Sequence, residues 1–310
     1  WSTALRSCGA VLPNVPDSSK PVKINYTHSN LRKRRRKYYE KKTLVWMMTA
    51  VLTAGMLAGC SSQSGETTAA SQETVESEEI LIATAASLKN AFEEELIPMF
   101  QEKYPNIVVK GTYDSSGKLQ TQIEEGLEAD VFMSAATTQM DALNEEGLIA
   151  SDTITDLLEN KIVLIVPEGN EAGLSAFEDI ADAASIALGD PASVPAGQYA
   201  QEALTSLGIW DSIQDKVSFG TNVTEVLNQV AAASADAGIV YATDAASMED
   251  QVDVVAEAPE GSLKTKVIYP VAVVKNTAHE EAAQSLVDFL KTPEAMAVFE
   301  AYGFAAGSEG

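Results

Sequence analysis

Short apolar runs alternate with amphipathic segments from Glu79 to the end of the chain. This order of strand, turn and helix is typical of an α/β fold. The segment LKNAFEEELIPMFQEKYP places Phe92, Leu96 and Phe100 on one helical face, and Pro98 within it predicts a bend or an interruption. Strands are predicted in the segments ILIATA, IVVKGTY, DVFMSA, KIVLIVP, SIALGD, KVSFG, AGIVYA, VDVVAEA and VIYPVAVVK.

Two of these strands, at 161–167 and 267–275, are longer and more apolar than the others. We expect the chain to cross to a second lobe at the first of them and to return at the second. The prediction is a two-lobed α/β fold with mainly parallel sheets, helices on both faces and a hinge of two crossover strands. The first lobe would hold 79–162 and 268–310, the second would hold 163–267, and the carboxyl ends of the strands would face the cleft between them.

Residues 1–59 have the order of a secretory signal, with the basic segment LRKRRRKYYEKK followed by an apolar stretch and Cys60. The apolar stretch is short for a transmembrane helix, which needs about 20 residues. The sequence LAGC resembles the bacterial lipobox, which implies that Cys60 is the lipidated first residue of the mature protein. The alternative is a plain membrane anchor with a chance cysteine. Residues 1–30 show no organised pattern, and two interpretations stay open for them: a non-native, translated upstream extension or a fragment.

Residues 60–78 are polar and cannot bury enough apolar surface to fold. Such a composition is typical of a flexible tether, here between a lipid anchor at Cys60 and the globular body. We therefore expect an exported lipoprotein on the outer face of the cytoplasmic membrane.

Charge is divided unevenly along the chain. Residues 1–59 hold eleven basic and two acidic residues, whereas residues 60–310 hold ten lysines, 43 acidic residues and no arginine, a net charge of −33. A body this acidic repels nucleic acids and anionic lipids at long range, which excludes nucleic-acid binding. Both cysteines, Cys8 and Cys60, lie outside the predicted body, so no disulfide framework or cysteine-based metal site is expected there.

The junctions between strands and helices share one property. Each opens a helix, whose first N–H groups have no acceptor within the helix and lie at the positive end of the helix dipole. Several such ends facing one cleft would form an anion site of neutral donors. The junctions are ATAASLKNAF with Ser87 expected as the N-cap, TYDSSGKLQ with Ser115, Ser116 and Gly117, GDPASVPAGQYA with Ala196 and Gly197, and FGTNVTEVL with Asn222, Val223 and Thr224.

Five segments resemble, in their order along the chain, the periplasmic molybdate-binding proteins of molybdate ABC transporters, over about residues 79–304. They are AASLKNAF, YDSSGKLQTQIEEGLEADVFMSA, ALGDPASVPAGQYAQEAL, AGIVYATDA and YPVAVV. The resemblance implies the type II periplasmic-binding-protein fold, with an oxyanion held between two lobes by hydroxyls and backbone amides. It also implies delivery of the oxyanion to the membrane subunits of an ABC permease by a monomeric binding protein.

Carried over by motif, the oxyanion ligands of that family fall on five positions. The resemblance implies hydroxyl and amide donors at Ser87 and Ser116, backbone N–H donors alone at Ala196 and Val223, and a phenolic O–H donor at Tyr241. Molybdenum would be bound only as the molybdate oxyanion, through these residues. No cofactor and no other metal are expected.

A site of donors alone suits molybdate, which is a tetrahedral dianion without a proton at neutral pH. Hydrogen phosphate brings an O–H that needs an acceptor, and an unmatched buried polar group costs roughly 1–3 kcal/mol. Sulfate would have to be rejected by size, whereas tungstate is nearly as large as molybdate and should bind comparably. Asp114 would favour phosphate if it faced the ligand, but we expect it to face solvent or to cap its turn.

Two alternatives stay open at this point. On the same fold, the chain could bind sulfate, thiosulfate or phosphate. In another class, an extracellular hydrolase with a Ser-His-Asp arrangement needs a histidine base. The sole candidate in the predicted body, His279, opens the helical surface pattern HEEAAQSLVDFLK. We therefore predict that the protein is not an enzyme.

Overall fold

The structure, a computed structural model, describes residues 77–307; the predicted signal region, Cys60 and nearly all of the predicted tether lie outside them. Helix α1 follows the first strand and consists of four consecutive helical pieces. The elements up to residue 160 are β1 (Glu78–Ala85), α1 (Ala86–Leu88, Lys89–Ala91, Phe92–Leu96 and Ile97–Lys103), β2 (Ile107–Asp114), α2 (Ser116–Glu124), β3 (Val131–Met133), α3 (Thr137–Glu145), a 3-10 turn (Ser151–Thr153) and β4 (Thr155–Asn160).

The remaining elements repeat the alternation of strand and helix. They are β5 (Ile162–Pro167), a 3-10 helix (Phe177–Asp182), β6 (Ile186–Gly189), α4 (Pro195–Ser206), α5 (Trp210–Ile213), a 3-10 turn (Gln214–Lys216), β7 (Val217–Gly220), α6 (Val223–Ala231), β8 (Ala237–Tyr241), α7 (Ala242–Ser247), β9 (Val252–Glu257), β10 (Val267–Val273), α8 (Glu280–Leu290), α9 (Pro293–Ala301) and β11 (Ala305–Ala306). Between residues 77 and 307, no helix combines the length and the apolar composition that crossing a membrane requires.

The strands form two sheets, on which two lobes are built. The first lobe has a six-stranded sheet in the order β11–β4–β10–β3–β1–β2, and the second lobe has a five-stranded sheet in the order β7–β6–β8–β5–β9. The chain passes from the first sheet to the second at Lys161, between β4 and β5, and it returns between Glu257 and Val267. The domain boundaries drawn from the sequence stay a prediction.

The α/β fold class is confirmed, with one correction to the pairing of the strands. β1 pairs in parallel with β2 and β3, and β6 pairs in parallel with β7 and β8. By contrast, β10 runs antiparallel to β3 and β4, β5 runs antiparallel to β8 and β9, and β11 runs antiparallel to β4. Both sheets are therefore mixed rather than mainly parallel, because the strands at the crossings enter their sheets from the opposite end.

Helix α1 contains the interruption that Pro98 predicts. Proline offers no N–H to the carbonyl one turn earlier, so it disrupts a regular α-helix. Here Phe92–Leu96 forms a π-helical turn, and Pro98 takes one of the first two positions of the α-helical piece Ile97–Lys103. The apolar face survives the interruption, since Phe92 and Phe100 are fully buried and meet aromatic rings of α9 and α8 edge to face.

Candidate functional site

The two lobes touch where their helices begin. The backbone N–H of Gly117, in the first turn of α2, donates a hydrogen bond of 3.0 Å to the carbonyl oxygen of Ser193, in the turn before α4. The side chain of Asn222, the N-cap of α6, donates from Nδ2 to Asp114 Oδ1 at 3.4 Å. The turn Ala86–Leu88 also contacts α6. The N-terminal ends of α1, α2, α4 and α6 therefore face one boundary between the lobes.

Ser87 lies at this boundary, but it does not cap a helix. The N-cap of the turn Ala86–Leu88 is Ala85, and no side chain caps it, so the expected N-cap role of Ser87 is wrong. The half-buried Ser87 hydroxyl instead lies 3.1 Å from the hydroxyl of Tyr269, on β10. Its partner is thus a buried phenol rather than a helix N–H.

Ser116 is the first residue of α2 and is completely buried. Its Oγ accepts a hydrogen bond of 3.0 Å from the backbone N–H of Ala135. Since a peptide N–H can only donate, the Ser116 hydroxyl keeps its own proton for another acceptor. An anion beside α2 would be such an acceptor.

Tyr241 ends β8 and is almost completely buried. Its hydroxyl donates to the carbonyl oxygen of Ala135 at 3.3 Å, a long hydrogen bond that a bound anion could replace. Its ring packs edge to face on Tyr269, with 5.5 Å between the ring centroids. Burial raises the pKa of Tyr241 well above its ordinary value, so the hydroxyl keeps its proton and remains a donor. The backbone N–H and the carbonyl of Ala135 thus link Ser116 to Tyr241 across the two lobes.

Ala196 and Val223 contribute backbone rather than side-chain chemistry. Ala196 follows Pro195 at the start of α4, and Val223 is the first residue of α6; both are buried. N–H groups in these positions have no acceptor within their helices. Asn222 fixes the start of α6, because its side-chain oxygen accepts from the N–H of Glu225 at 3.0 Å. The helix start predicted at this junction is confirmed.

The structure therefore places Ser87, Ser116 and Tyr241 at the boundary between the lobes. Ala196 and Val223 lie at the starts of helices whose preceding residues, Ser193 and Asn222, contact the first lobe. Ser116 and Tyr241 are joined through Ala135, and Ser87 and Tyr241 are joined through Tyr269. Their role as anion ligands stays a prediction.

The Asp114 carboxylate is hydrogen-bonded within its own turn and to the opposite lobe. Its Oδ1 accepts from the N–H of Ser115 at 2.8 Å, and Lys118 and Asn222 approach the same atom at 3.4 Å. The carboxylate thus caps the turn before α2, which is one of the two expected arrangements. Since Ser115 gives its N–H to Asp114, that N–H is not available to an anion.

A cavity of about 500 Å³ lies directly beside these residues, between the lobes. Its walls include Ala86 and Lys89 from the first lobe and Asn222, Thr224 and Glu225 from the second. The cavity reaches the immediate neighbours of Ser87 and Val223, and we interpret it as the mouth of the cleft. Within residues 77–307 there is no arginine and no cluster of three or more histidine, cysteine, aspartate or glutamate side chains suited to a metal ion.

Sequence reasoning missed a second layer of polar groups behind the predicted ligands. Asn160, at the end of β4, donates from Nδ2 to Thr243 Oγ1 at 2.9 Å and to Tyr269 Oη at 3.2 Å. Tyr269 lies within the quoted segment YPVAVV, yet nothing in that pattern marks its hydroxyl as part of a site. The Ser115 Oγ and Thr84 Oγ1 atoms are also buried here, at the ends of adjacent strands, without a hydrogen-bond partner.

Comparison with known proteins shows which family this fold belongs to. A family model described as bacterial extracellular solute-binding protein matches residues 80–305. The chain belongs to this family. As a member of it, this solute-binding protein is an extracytoplasmic binding component with the two-sheet α/β fold of periplasmic binding proteins.

Three relatives illustrate the similarity. YvgL of Bacillus subtilis (strain 168), whose name proposes an ABC transporter substrate-binding lipoprotein, is 40% identical over 258 residues, covering 83% of this chain and 96% of YvgL. The molybdate-binding protein ModA of Haemophilus influenzae is 35% identical over 275 residues, covering 86% and 99%. The solved substrate-binding domain of a proposed molybdenum ABC transporter from Clostridium difficile is 37% identical, with a TM-score of 0.58, and covers 74% of this chain and 99% of that chain.

The histidine considered for a hydrolase lies elsewhere in this solute-binding protein. His279 is the N-cap residue of α8, and its Nδ1 lies 2.7 Å from Glu78 Oε1 at the start of β1. Both side chains are more than a third exposed. A Ser-His-Asp arrangement needs a serine hydroxyl on the other ring nitrogen, and none of the hydrogen bonds of the described residues provides one.

Proposed function

We propose that this solute-binding protein is the substrate-binding component of an ABC importer, and that it binds molybdate or tungstate between its lobes. The observation that carries the proposal is the pair of buried hydroxyls, Ser116 and Tyr241, brought together from opposite lobes through Ala135. Each is a neutral donor, and each lies beside the start of a helix. The ligand is the cargo of the protein, and no resident cofactor is proposed.

The proposed donor set consists of uncharged groups from both lobes. Ser87 and Ser116 come from the first lobe, whereas Ala196, Val223 and Tyr241 come from the second. A tetrahedral dianion in the cleft would therefore hold the lobes together, since each lobe alone offers only part of the set. Closing around the ligand is the change that a permease could recognise.

The names of the relatives support the choice of ligand. ModA of Haemophilus influenzae is named for molybdate, and the Clostridium difficile domain is described as part of a proposed molybdenum transporter. Tungstate has the same shape and charge as molybdate and nearly the same size, so we propose that the site accepts both.

We also propose that a lipid on Cys60 anchors the protein to the outer face of the cytoplasmic membrane. The sequence LAGC supports the proposal, and so does the name of YvgL, which includes the word lipoprotein. A monomer with a flexible tether could then reach the membrane subunits of its permease.

Calorimetric titration of the mature chain, residues 60–310, tests the proposed ligand. Molybdate and tungstate are expected to bind well below millimolar concentration, and sulfate and phosphate to bind more weakly. A ligand at about 100 times its Kd adds about 2.7 kcal/mol to the free energy of unfolding, so thermal melting should show the same order. Preferred binding of sulfate or phosphate would favour the alternative ligands on this fold, and molybdate that binds only at millimolar concentration would overturn the proposal.

Replacing Ser116 by alanine should weaken molybdate binding by about tenfold, because one buried anion oxygen would lose its donor. Ser151→Ala is the matched control: the Ser151 hydroxyl bonds to Asn144 on the first lobe, away from the cleft. Calorimetry on both variants, with a melting curve taken without ligand, separates loss of binding from loss of stability. Equal affinities in the two variants would remove Ser116 from the site.

A further inference from the structure

A chain of hydrogen bonds leads from the hinge to the candidate site. The Asn160 side-chain oxygen accepts from the N–H of Lys161 at 2.8 Å, which fixes the orientation of the amide. Its Nδ2 therefore points the other way, toward Thr243 and Tyr269, at 2.9 and 3.2 Å. Tyr269 in turn lies 3.1 Å from the Ser87 hydroxyl.

The chemistry of these groups limits which of them donates in each hydrogen bond. An amide nitrogen can only donate, so Tyr269 Oη accepts from Asn160. The Tyr269 proton is then free for its other neighbour, the Ser87 oxygen. The Tyr241 proton goes to the Ala135 carbonyl. The 3.1 Å distance allows either hydroxyl of the Ser87–Tyr269 pair to donate, and with Tyr269 as the donor the Ser87 O–H must point to a different acceptor.

Burial keeps this arrangement in place. Tyr269 is completely buried and Asn160 is almost so, which leaves water little access to either group. Burial also raises the pKa of Tyr269 well above its ordinary value, so the phenol retains the proton that it gives to Ser87. Tyr269 therefore stays protonated and able to donate.

We propose that Asn160 and Tyr269 are positioning residues that fix the Ser87 hydroxyl as a hydrogen-bond donor toward the cleft, and that they thereby make the site select oxyanions without a proton. The inference rests on the proposed function and deepens it. It assigns the discrimination between proton-free and protonated oxyanions to two residues that do not touch the ligand.

The same logic holds for Ser116, which accepts from the Ala135 N–H and must also direct its proton elsewhere. Both serines thus present protons to the cleft, and a protein donor takes one of the two acceptor lone pairs on each serine oxygen. An oxyanion that carries a proton can reach only the remaining lone pair, on an oxygen that already gives its own proton to the ligand. Such an ion makes a poorer hydrogen bond there than it makes in water, whereas a proton-free ion loses none.

Two oxyanions of equal charge test the proposal. At about pH 8, molybdate and hydrogen arsenate are both tetrahedral dianions of similar size, but only hydrogen arsenate carries a proton. The measured quantity is the ratio of their Kd values in calorimetric titration. A residue with a merely structural role would change both Kd values together and leave the ratio unaltered.

Tyr269→Phe is expected to reduce the preference for molybdate over hydrogen arsenate by about tenfold, because Ser87 becomes free to accept as well as to donate. Tyr104→Phe is the matched control, since the Tyr104 ring packs on Phe100 at the end of α1 with 4.7 Å between centroids, away from the cleft. The control should keep the wild-type ratio. An unchanged ratio in Tyr269→Phe would overturn the inference.

Asn160→Asp provides a second measurement that does not depend on the folding of Tyr269→Phe. A carboxylate at position 160 accepts the Tyr269 proton, so Tyr269 then accepts a hydrogen bond from Ser87. The direction of both hydrogen bonds is thereby reversed. The added negative charge repels both dianions, but only hydrogen arsenate can use the lone pair that Ser87 now presents. The ratio should fall by more than in Tyr269→Phe, and a ratio equal to that of the wild type would contradict the proposal.

Titration of the wild-type protein tests the proposed function separately. If it binds molybdate, the variants decide the inference alone. If it binds no tetrahedral oxyanion, the proposed function fails, and the inference fails with it.

Discussion

Replacing Gly117 by alanine is expected to weaken molybdate binding by up to about a hundredfold. A Cβ atom at this position would lie 2.5 Å from the Ser193 carbonyl oxygen and 2.8 Å from the Ser193 Cα. These are backbone atoms of the opposite lobe, so rotation of a side chain cannot relieve the contact. The lobes would have to separate, and the donors from the second lobe would move away from those of the first.

Within its own lobe the same substitution should be tolerated. Gly117 lies in the first turn of α2, where alanine is a better helix former than glycine by up to about 1 kcal/mol. Gly197→Ala is the contrasting variant, because its Cβ would lie 2.0 Å from the Gly189 carbonyl oxygen within the second lobe. We expect Gly197→Ala to lower the melting temperature itself. Calorimetry and melting curves on both variants test this, and wild-type affinity in Gly117→Ala would show that the liganded lobes do not meet at Ser193.

Replacing Asp244 by asparagine is expected to remove a pH dependence of stability worth a few kcal/mol. Asp244 lies in the first turn of α7, and its Oδ2 is buried without a hydrogen-bond partner. Burial raises its pKa from 3.8 to about 7, although a hydrogen bond from the Tyr241 backbone opposes the rise. In the unfolded chain an aspartate titrates near its ordinary value of about 3.9.

The sign follows from proton binding. Between the unfolded and the folded pKa, the folded protein holds a proton that the unfolded chain has lost. The stabilisation is therefore present in full below about pH 4 and is lost as the pH rises, at about 1.4 kcal/mol per pH unit, until the loss is complete above about pH 7. Asp244→Asn cannot ionise, so its free energy of unfolding should lack this decline.

Urea unfolding of both proteins between about pH 5 and pH 8 measures the difference. The wild type should lose stability relative to Asp244→Asn as the pH rises. Asp152→Asn serves as the control, because Asp152 is exposed in the turn Ser151–Thr153. Parallel curves for wild type and Asp244→Asn would show that the Asp244 carboxyl is already ionised in the folded protein at the lowest pH measured.

Much of the fold could be predicted because its signals are local. The strand–helix alternation, the interruption near Pro98 and the helix start after Asn222 each depend on residues within a turn or two of one another. Strand β4 could not be found this way. The segment TDLLEN has only two apolar residues, and these are adjacent rather than alternating. It becomes a strand because β10 pairs with it, and the local sequence pattern does not predict this pairing.

The candidate site shows the same limit more sharply. The sequence pattern could mark Ser87 as a polar residue at a helix start, but it assigned the hydroxyl to a cap. Its actual partner, Tyr269, lies 182 residues further along the chain, and the Tyr269 contact with Asn160 spans 109 residues. Such partners are set by how the chain crosses twice between the sheets. These hydrogen-bond partners could therefore be identified only from the folded structure.

The backbone donors proposed at Ala196 and Val223 make part of this site independent of side-chain identity. A peptide N–H is present whatever side chain a codon specifies, proline excepted. Point mutation can crowd these two positions, which are buried, but most substitutions leave the amide proton in place. A protein that lost its serine hydroxyls by mutation could thus keep weak anion binding through these two amides. Stronger binding could then evolve again from that starting point.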